Sequence, residues 1–335
     1  LPEHARVLRF LQTNGVFIAL ILLVAANAFL QPGVFFRPEN LRNLLSQNAV
    51  VGIIAVGMTL VIVAGGIDLS VGSLAALSGV IGLQAMNQAM GPGSELPAVL
   101  VGVAVMLVVG TLGGALSGIL VAWGGVTPFV VTLCGLVGYR SMALVAADAG
   151  QVAGKSQGFF ESFASQGVPL PMVTDSSGAQ LVLTWPILVF LVVSLAGWWL
   201  LERTVFGRNL VAVGGNEQAA YLAGVRTRWV KLGSFMTLGL LTGLGAVFLA
   251  ARLNSVSSSQ TAVFYELDAI AAVAIGGTSL AGGQANVLKT AAGVLVLGII
   301  NNMLVITNVN PNWQGFAKGA IILLAVALQR GRNSG

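Results

Sequence analysis

Charge is what this sequence has least of. Only 8% of its 335 residues are Asp, Glu, Lys or Arg, against about 25% in an ordinary soluble domain. So few charges cannot dress the water-facing surface of a chain this long, which excludes a soluble globular fold. Histidine is reduced to His4 and cysteine to Cys134. A His/Cys metal centre and a histidine-based catalytic triad each need more than that inventory holds. A single cysteine likewise excludes a disulfide framework. The ~10-residue alternation of transmembrane barrel strands is also missing.

What is present is apolar: 56% of the residues are hydrophobic. Several runs are long enough to cross a ~30 Å hydrocarbon core at 1.5 Å per helical residue. The expected fold is therefore all-α, a polytopic transmembrane bundle of about ten helices forming one membrane domain over 1–335. The expected spans are 14–31, 46–64, 68–88, 97–122, 127–147, 183–200, 231–251, 264–280, 290–307 and 314–330. The first has a basic start and an Ala-x-Ala at 26–28, which mimics a cleavable signal peptide. With so many spans behind it, it is read as an uncleaved first helix.

Two longer polar stretches separate the spans, 148–182 and 201–230. The second holds Arg203, Arg208, Arg226 and Arg228 against Glu202 and Glu217. An even number of crossings puts both termini on one side. Arg6, Arg9, Arg330 and Arg332 make that side cytoplasmic by the positive-inside rule. The 201–230 loop then lies inside and 148–182 outside. The same rule accounts for the net charge of +5, so no nucleic-acid partner is inferred; the partner implied is the lipid bilayer.

One stretch breaks the apolar pattern: AGGIDLSVGS, 64–73. An Asp at mid-membrane depth costs about 2.5–3.5 kcal/mol on insertion scales, and each glycine weakens a helix by roughly 1 kcal/mol. A chain that only spanned lipid would not keep both. Gly65, Gly66, Leu69 and Gly72 recur as Gly276, Gly277, Leu280 and Gly283 at a constant offset of 211 residues. Such pairs let a helix unwind or let backbones pack closely, as in transporters whose broken helices line a cavity. Asp68 and Ser70 suit a cap on the freed N–H groups of the next helix. Asp68 alternatively faces a polar path, and Glu266 and Asp268 pose the same choice at the start of the eighth span. Weakly polar candidates for such a path are Asn48, Thr59, Ser73, Ser78, Asn301 and Asn302.

Inside the basic loop, Asn216 is a good N-cap, Glu217 suits a helix N-terminus, and Gly224 suits the position just past a helix end. A short helix over 216–224 is expected, with Ala220 at its centre and Gly214 and Gly215 leading into it. AGQVAGKS (149–156) satisfies the loose P-loop pattern. A working P-loop follows a buried strand and opens a helix, whereas this stretch follows a membrane span on the outer side. ATP hydrolysis by this chain is not expected.

Three stretches taken together, GIIAVGMTLVIVAGGIDLSVGS (52–73), GRNLVAVGGNEQAAYLAGVRT (207–227) and ELDAIAAVAIGGTSLAGG (266–283), resemble the bacterial ribose/xylose/arabinose-type permeases. These are the membrane subunits of binding-protein-dependent ATP-binding cassette (ABC) importers. The resemblance runs from about 40 to 330. WQGFAKGAIILLAVALQR (313–330) is similar to the family's last helix, and this ending together with YELDAIA looks closest to the furanose (galactofuranose) type. The resemblance implies a pore of two permease subunits, identical or not, in the bacterial inner membrane. It implies cytoplasmic ATPase subunits carrying ATP and magnesium, so that no cofactor belongs to this chain, and a periplasmic protein that delivers a sugar. It also implies that the 207–227 block contacts the ATPase. The rival readings are the same architecture with a nucleoside, autoinducer or amino acid as cargo, and an ion-coupled carrier using Asp68, Glu266 and Asp268.

Overall fold

The computed structural model describes residues 3–310 except 92, 94, 157 and 177, together with 313, 315, 316, 319 and 320. It is a helical bundle. The helices are α1 (Glu3–Leu30), α2 (Pro38–Val63), α3 (Val71–Ala89), α4 (Glu95–Ala122), α5 (Pro128–Ala146), α6 (Phe159–Ser165), α7 (Trp185–Arg203), α8 (Val205–Gly215), α9 (Glu217–Leu222), α10 (Thr227–Leu253), α11 (Tyr265–Ile275) and α12 (Val287–Ile306). Six of them, α2, α4, α5, α7, α10 and α12, are long and apolar enough to cross a membrane. The expected span 314–330 lies almost entirely outside the described residues.

Helix starts follow backbone chemistry. Prolines 38, 128 and 186 sit in the first turns of α2, α5 and α7, where their missing N–H costs nothing. Pro38 explains why α2 begins eight residues earlier than the apolar run suggests. From Ala49 to Val63 every residue of α2 is buried, which makes it the axis of the bundle. Around it pack α7, α10, α11 and α12, sharing one hydrophobic core that includes Ile54, Met58, Ile62, Leu238, Ala272 and Leu297. The tightest helix pair is α4 with α10. A methyl added to Gly114 would lie 2.9 Å from the Gly239 Cα, and one added to Gly239 would lie 2.9 Å from the Gly114 Cα. Gly110-x3-Gly114 faces Gly239-x3-Gly243, the small-residue spacing that brings membrane helices into backbone contact. The outward faces of α4 and α5 are apolar and exposed, with Leu112, Leu116, Ile119, Phe129 and Leu133 among them.

The helical bundle is as expected, with two small antiparallel ribbons beside it: β1 (Gln151–Ala153) pairs with β4 (Ser255–Ser257), and β2 (Gly167–Thr174) with β3 (Gln180–Thr184). These ribbons clip loops at the end of the bundle opposite α9. Two expectations need correction. First, 201–230 is scarcely a loop, because α8, α9 and the first turn of α10 fill most of it. Second, the eighth span, expected over 264–280, is only the 11-residue α11. At 1.5 Å per residue it is about 16 Å long, roughly half a bilayer core. The apolar run is as long as predicted, but Gly276 and Gly277 stop the helix within it.

β1 also disposes of the P-loop resemblance. It is a three-residue, solvent-facing strand and not the buried strand that the motif requires. Ser156 donates to Glu95 Oε1 (2.6 Å) and accepts from the Phe160 N–H (2.9 Å), capping α6.

Candidate functional site

The two glycine breaks are built alike. At the end of α2, the Gly65 N–H donates to the Ile62 carbonyl and the Gly66 N–H to the Val61 carbonyl, each at 2.9 Å. At the end of α11, the Gly277 N–H donates to Ala274 (2.8 Å) and the Thr278 N–H to Val273 (3.2 Å). Both are Schellman turns, and the left-handed residue is Gly65 (φ 83°) in one and Gly277 (φ 84°) in the other, the position where glycine is favoured. Gly65 therefore corresponds to Gly277 and Gly66 to Thr278, one residue away from the match read by identity. Gly276 corresponds to Ala64 and has an ordinary helical backbone. It is small for a different reason: a side chain there would run into the backbone of Lys289 and Thr290.

The α8–α9 segment is closed at each joint by a side chain or a glycine. The Thr204 hydroxyl accepts from the Gly207 N–H (3.1 Å) and starts α8. Asn216 Oδ1 accepts from the Ala219 N–H (2.9 Å) and starts α9. Gly224, at φ 85°, ends α9 in a third Schellman turn, with Gly224 bonded to Tyr221 and Val225 to Ala220, each at 3.0 Å. Ala220 is buried against a cluster that includes Leu210, Val213 and Val230. Glu217 is pinned to Lys231 of α10 at 2.6 Å. α8 itself was not anticipated; Thr204 three residues before Gly207 was the signal.

These three segments, far apart in sequence, converge. The Gly283 N–H donates to the Val63 carbonyl (2.9 Å), tying the second break to the end of α2. Gly214, in the last turn of α8, lies against both: an added methyl would overlap the Val63 carbonyl oxygen and stand 2.8 Å from the Gly283 nitrogen. A methyl on Gly282 would lie 3.1 Å from the Gly65 Cα. The result is a backbone-to-backbone joint of Val63, Gly65, Gly214, Gly282 and Gly283. Gly215 also lends its backbone to the contact, its Cα standing 2.9 Å from a methyl added to Gly283, but its own added methyl would meet no atom within 4 Å.

Asp68 is buried, 2% exposed, but it does not cap α3. Its Oδ1 accepts both the N–H (2.7 Å) and the hydroxyl (2.6 Å) of Ser70, an Asx turn that shapes the break. Ser70 is the N-cap residue of α3, yet its side chain caps no N–H, because Asp68 takes up its hydroxyl. Thr132 of α5 donates to the Ile67 carbonyl (3.2 Å) and holds the same break from outside; nothing in its sequence surroundings signalled this.

Glu266 and Asp268 do lie in the first turn of α11. At that turn Phe264 and Leu267 are exposed while Glu266 points into the bundle. Glu266 is buried, and its carboxylate packs against Gly72 in the first turn of α3, where an added methyl would stand 2.5 Å from Oε2. Arg140 of α5 donates to the Ser258 and Thr261 carbonyls, each at 3.0 Å, and so holds the segment that leads into α11.

The weakly polar candidates fall mostly on one seam, between α2 and α12. Thr59 and Thr290 share a buried hydroxyl contact of 3.0 Å. Asn40 and Asn302 exchange amide bonds of 3.3 and 2.9 Å. Asn48 donates to its own helix at Leu44 and packs on Gly298. Asn301 is half-buried beside Asn302. Ser73 and Ser78 of α3 are buried, and the Ser78 hydroxyl has no partner among the described residues. Thr59, Asn302 and, by packing, Asn48 thus join α2 to α12. No group of acidic, His or Cys residues among the described residues is arranged to hold a metal ion.

Residues 40–326 match the family described as branched-chain amino acid transport system / permease component. Among curated proteins, the ribose import permease protein RbsC of Haemophilus influenzae is 39% identical, over 95% of this chain and 93% of that protein. RbsC of Escherichia coli is 40% identical over 92% and 91%. The D-allose transport system permease protein AlsC of Escherichia coli is 35% identical over 96% and 92%. No solved structure matches the chain. The chain belongs to this family of transport-system permease components and is a multi-pass membrane protein.

Proposed function

We propose that this chain is the permease subunit of a binding-protein-dependent ABC importer, and that its cargo is a monosaccharide of the pentose or related furanose class. The family description mentions amino acids, but the similar curated permeases are named for ribose and allose. ATP with magnesium belongs to partner ATPase subunits and not to this chain. The chain sits in the bacterial inner membrane with both termini and α8–α9 on the cytoplasmic side. A periplasmic sugar-binding protein docks at the opposite end, over the 148–182 segment.

The observation that carries the mechanism is the joint at Gly214. α9 is short, capped at both ends and presents Tyr221 and Leu222 outward, 68% and 78% exposed, the form of a knob that enters a groove on another protein. A push on α9 passes through α8 to Gly214 and from there, backbone to backbone, to the ends of α2 and α11. Those breaks are where helices can re-angle, and alternating access follows. A second permease subunit, identical or homologous, completes the pore. In support of this, α2 is buried throughout Ala49–Val63 within the chain's own core, and its one polar side chain there, Thr59, is spent on Thr290 of α12.

The test is uptake of labelled ribose into proteoliposomes that hold the permease with its ATPase and binding protein. Uptake that needs ATP and survives an uncoupler is expected. Uptake that needs no ATP and collapses with the ion gradient would establish the carrier reading, with Asp68 and Glu266 as its acids.

A further inference from the structure

At the α9 end of the bundle, outside the Gly214 joint, lies a groove. It measures about 940 Å³ and runs between α9, the turn joining α4 to α5, and the start of α10. Trp123 and Trp229 form one wall, with ring centroids 5.3 Å apart and planes at 86°. Both stay exposed, 42% and 61%. Arg226 and Arg228 reach the same groove and are exposed. Neither makes an ion pair among the described residues, whereas the neighbouring Lys231 is satisfied by Glu217. Two unpaired guanidinium groups beside two exposed indoles are not a settled protein surface.

The groove also has a definite level. It is bounded by the last residue of α4, the first of α5 and the first of α10, which are the ends of three membrane-crossing helices. Helix ends mark the membrane–water interface, the level at which tryptophans gather. From its rim the exposed apolar faces of α4 and α5 run away along the bundle, through Ile119, Leu116 and Leu112 on one helix and Phe129, Leu133 and Val137 on the other. A ligand that satisfies the whole surface has a negative head for the arginines, an interfacial region for the indoles and hydrocarbon for the helix faces.

We propose that this groove binds the headgroup of an anionic phospholipid, with the acyl chains laid along the α4–α5 face. Guanidinium groups pair bidentately with phosphate, and basic pockets between membrane helices are suited to anionic headgroups. The apolar continuation selects a lipid over free phosphate. The lipid would brace α9 along its Glu217, Gln218 and Tyr221 side, leaving the exposed Leu222 free for a protein partner. The inference rests on the chain's membrane setting alone; it holds whichever solute is carried.

The experiment is native mass spectrometry of the delipidated, detergent-solubilised permease, titrated with phosphatidylglycerol, phosphatidylcholine or inorganic phosphate. Phosphatidylglycerol is expected to bind in preference to phosphatidylcholine, and phosphate alone to leave no adduct. Each basic residue near an anionic lipid contributes roughly a fivefold factor in affinity. Arg226→Gln with Arg228→Gln should therefore lower phosphatidylglycerol affinity on the order of 25-fold and erase the preference. The matching pair Arg226→Lys and Arg228→Lys should keep most of it, and the melting temperature in neutral detergent reports whether either variant has lost its fold. Equal binding of the two lipids, binding of phosphate alone, or an unchanged preference in the folded Gln variant would overturn the proposal. So would a Gln variant that binds lipid normally but no longer copurifies with the ATPase, since the groove would then be a protein-docking surface.

Discussion

Two adjacent glycines at the end of α8 should respond oppositely to the same substitution. In Gly214→Ala, the new methyl overlaps the Val63 carbonyl oxygen and crowds the Gly283 nitrogen at 2.8 Å. The obstacles are backbone atoms, which cannot rotate aside as a side-chain tip could. Overpacking of this kind costs about 1–3 kcal/mol. Prising Gly283 from Val63 loses a hydrogen bond worth a further ~0.5–1.5 kcal/mol. Against this, alanine is better than glycine within a helix by roughly 0.8–1.0 kcal/mol. The balance is about 0.5–3.7 kcal/mol against the closed joint, a factor of roughly 2 to 500 in its population, since each 1.4 kcal/mol is tenfold. Gly215→Ala meets no atom within 4 Å and has no positive φ to strain, so it keeps the joint. The assay is sugar uptake and ATP hydrolysis measured together in proteoliposomes holding the full importer. Gly214→Ala should lose most uptake while hydrolysis continues, because the ATPase still engages α9 but its stroke no longer reaches α2. Gly215→Ala should be near wild type in both. Wild-type uptake by Gly214→Ala, or equal losses in the two variants, would refute the idea that force crosses this joint.

Ala220→Pro removes the N–H that bonds to Asn216 (3.0 Å) and breaks α9 at about 3 kcal/mol or more. Normal membrane insertion with loss of ATPase copurification and of uptake is expected, while Ala220→Ser, which keeps the N–H, stays active. Asp68→Asn keeps an oxygen to accept both Ser70 bonds and should retain much of the transport. Asp68→Leu leaves a buried N–H and hydroxyl without a partner, at about 1–3 kcal/mol, and should lose it; abolition by Asn at normal expression would favour an ion-coupling acid. A single cysteine at Gln218, in a background without the exposed Cys134, should resist an impermeant reagent added outside intact cells, and rapid labelling there would reverse the proposed orientation.

The features that could be read from sequence were those set by local chemistry. Apolar runs place the long helices to within a few residues except at the starts of α1 and α2, which begin eleven and eight residues early, and Asn216 with Gly224 frames α9 because capping depends only on the nearest N–H and carbonyl groups. The features that could not be read were those set by contacts between distant segments. β1 and β4 are three residues each and exist only because they pair. α11 is short because Gly276 must pass the backbone of α12, which no apolar count reveals. The repeat was misaligned by one residue because matching glycines by identity treats them as equivalent. Gly66 and Gly276 do not take the left-handed position in their turns; Gly65 and Gly277 do. Asn48, Thr59 and Asn302 look alike as polar residues in apolar helices, and only the placement of α12 beside α2 shows that they join helices.

The same distinction bears on how the joint could work. Side-chain contacts between helices have slack, because rotamers adjust before backbones move. At Val63, Gly214 and Gly283 there is no side chain to adjust, so a displacement of α8 is passed on in full. What yields instead is the backbone beyond it, at Gly277, whose positive φ lies in the region that glycine enters without steric cost. The opposite end of α11 is restrained, since Arg140 holds the Ser258 and Thr261 carbonyls and β4 is paired with β1. A half-length helix fixed at its entry and jointed at its exit can pivot, whereas a full span embedded along its length could only translate. The glycine pairs that weaken these helices therefore lie next to the rigid contact that would drive them.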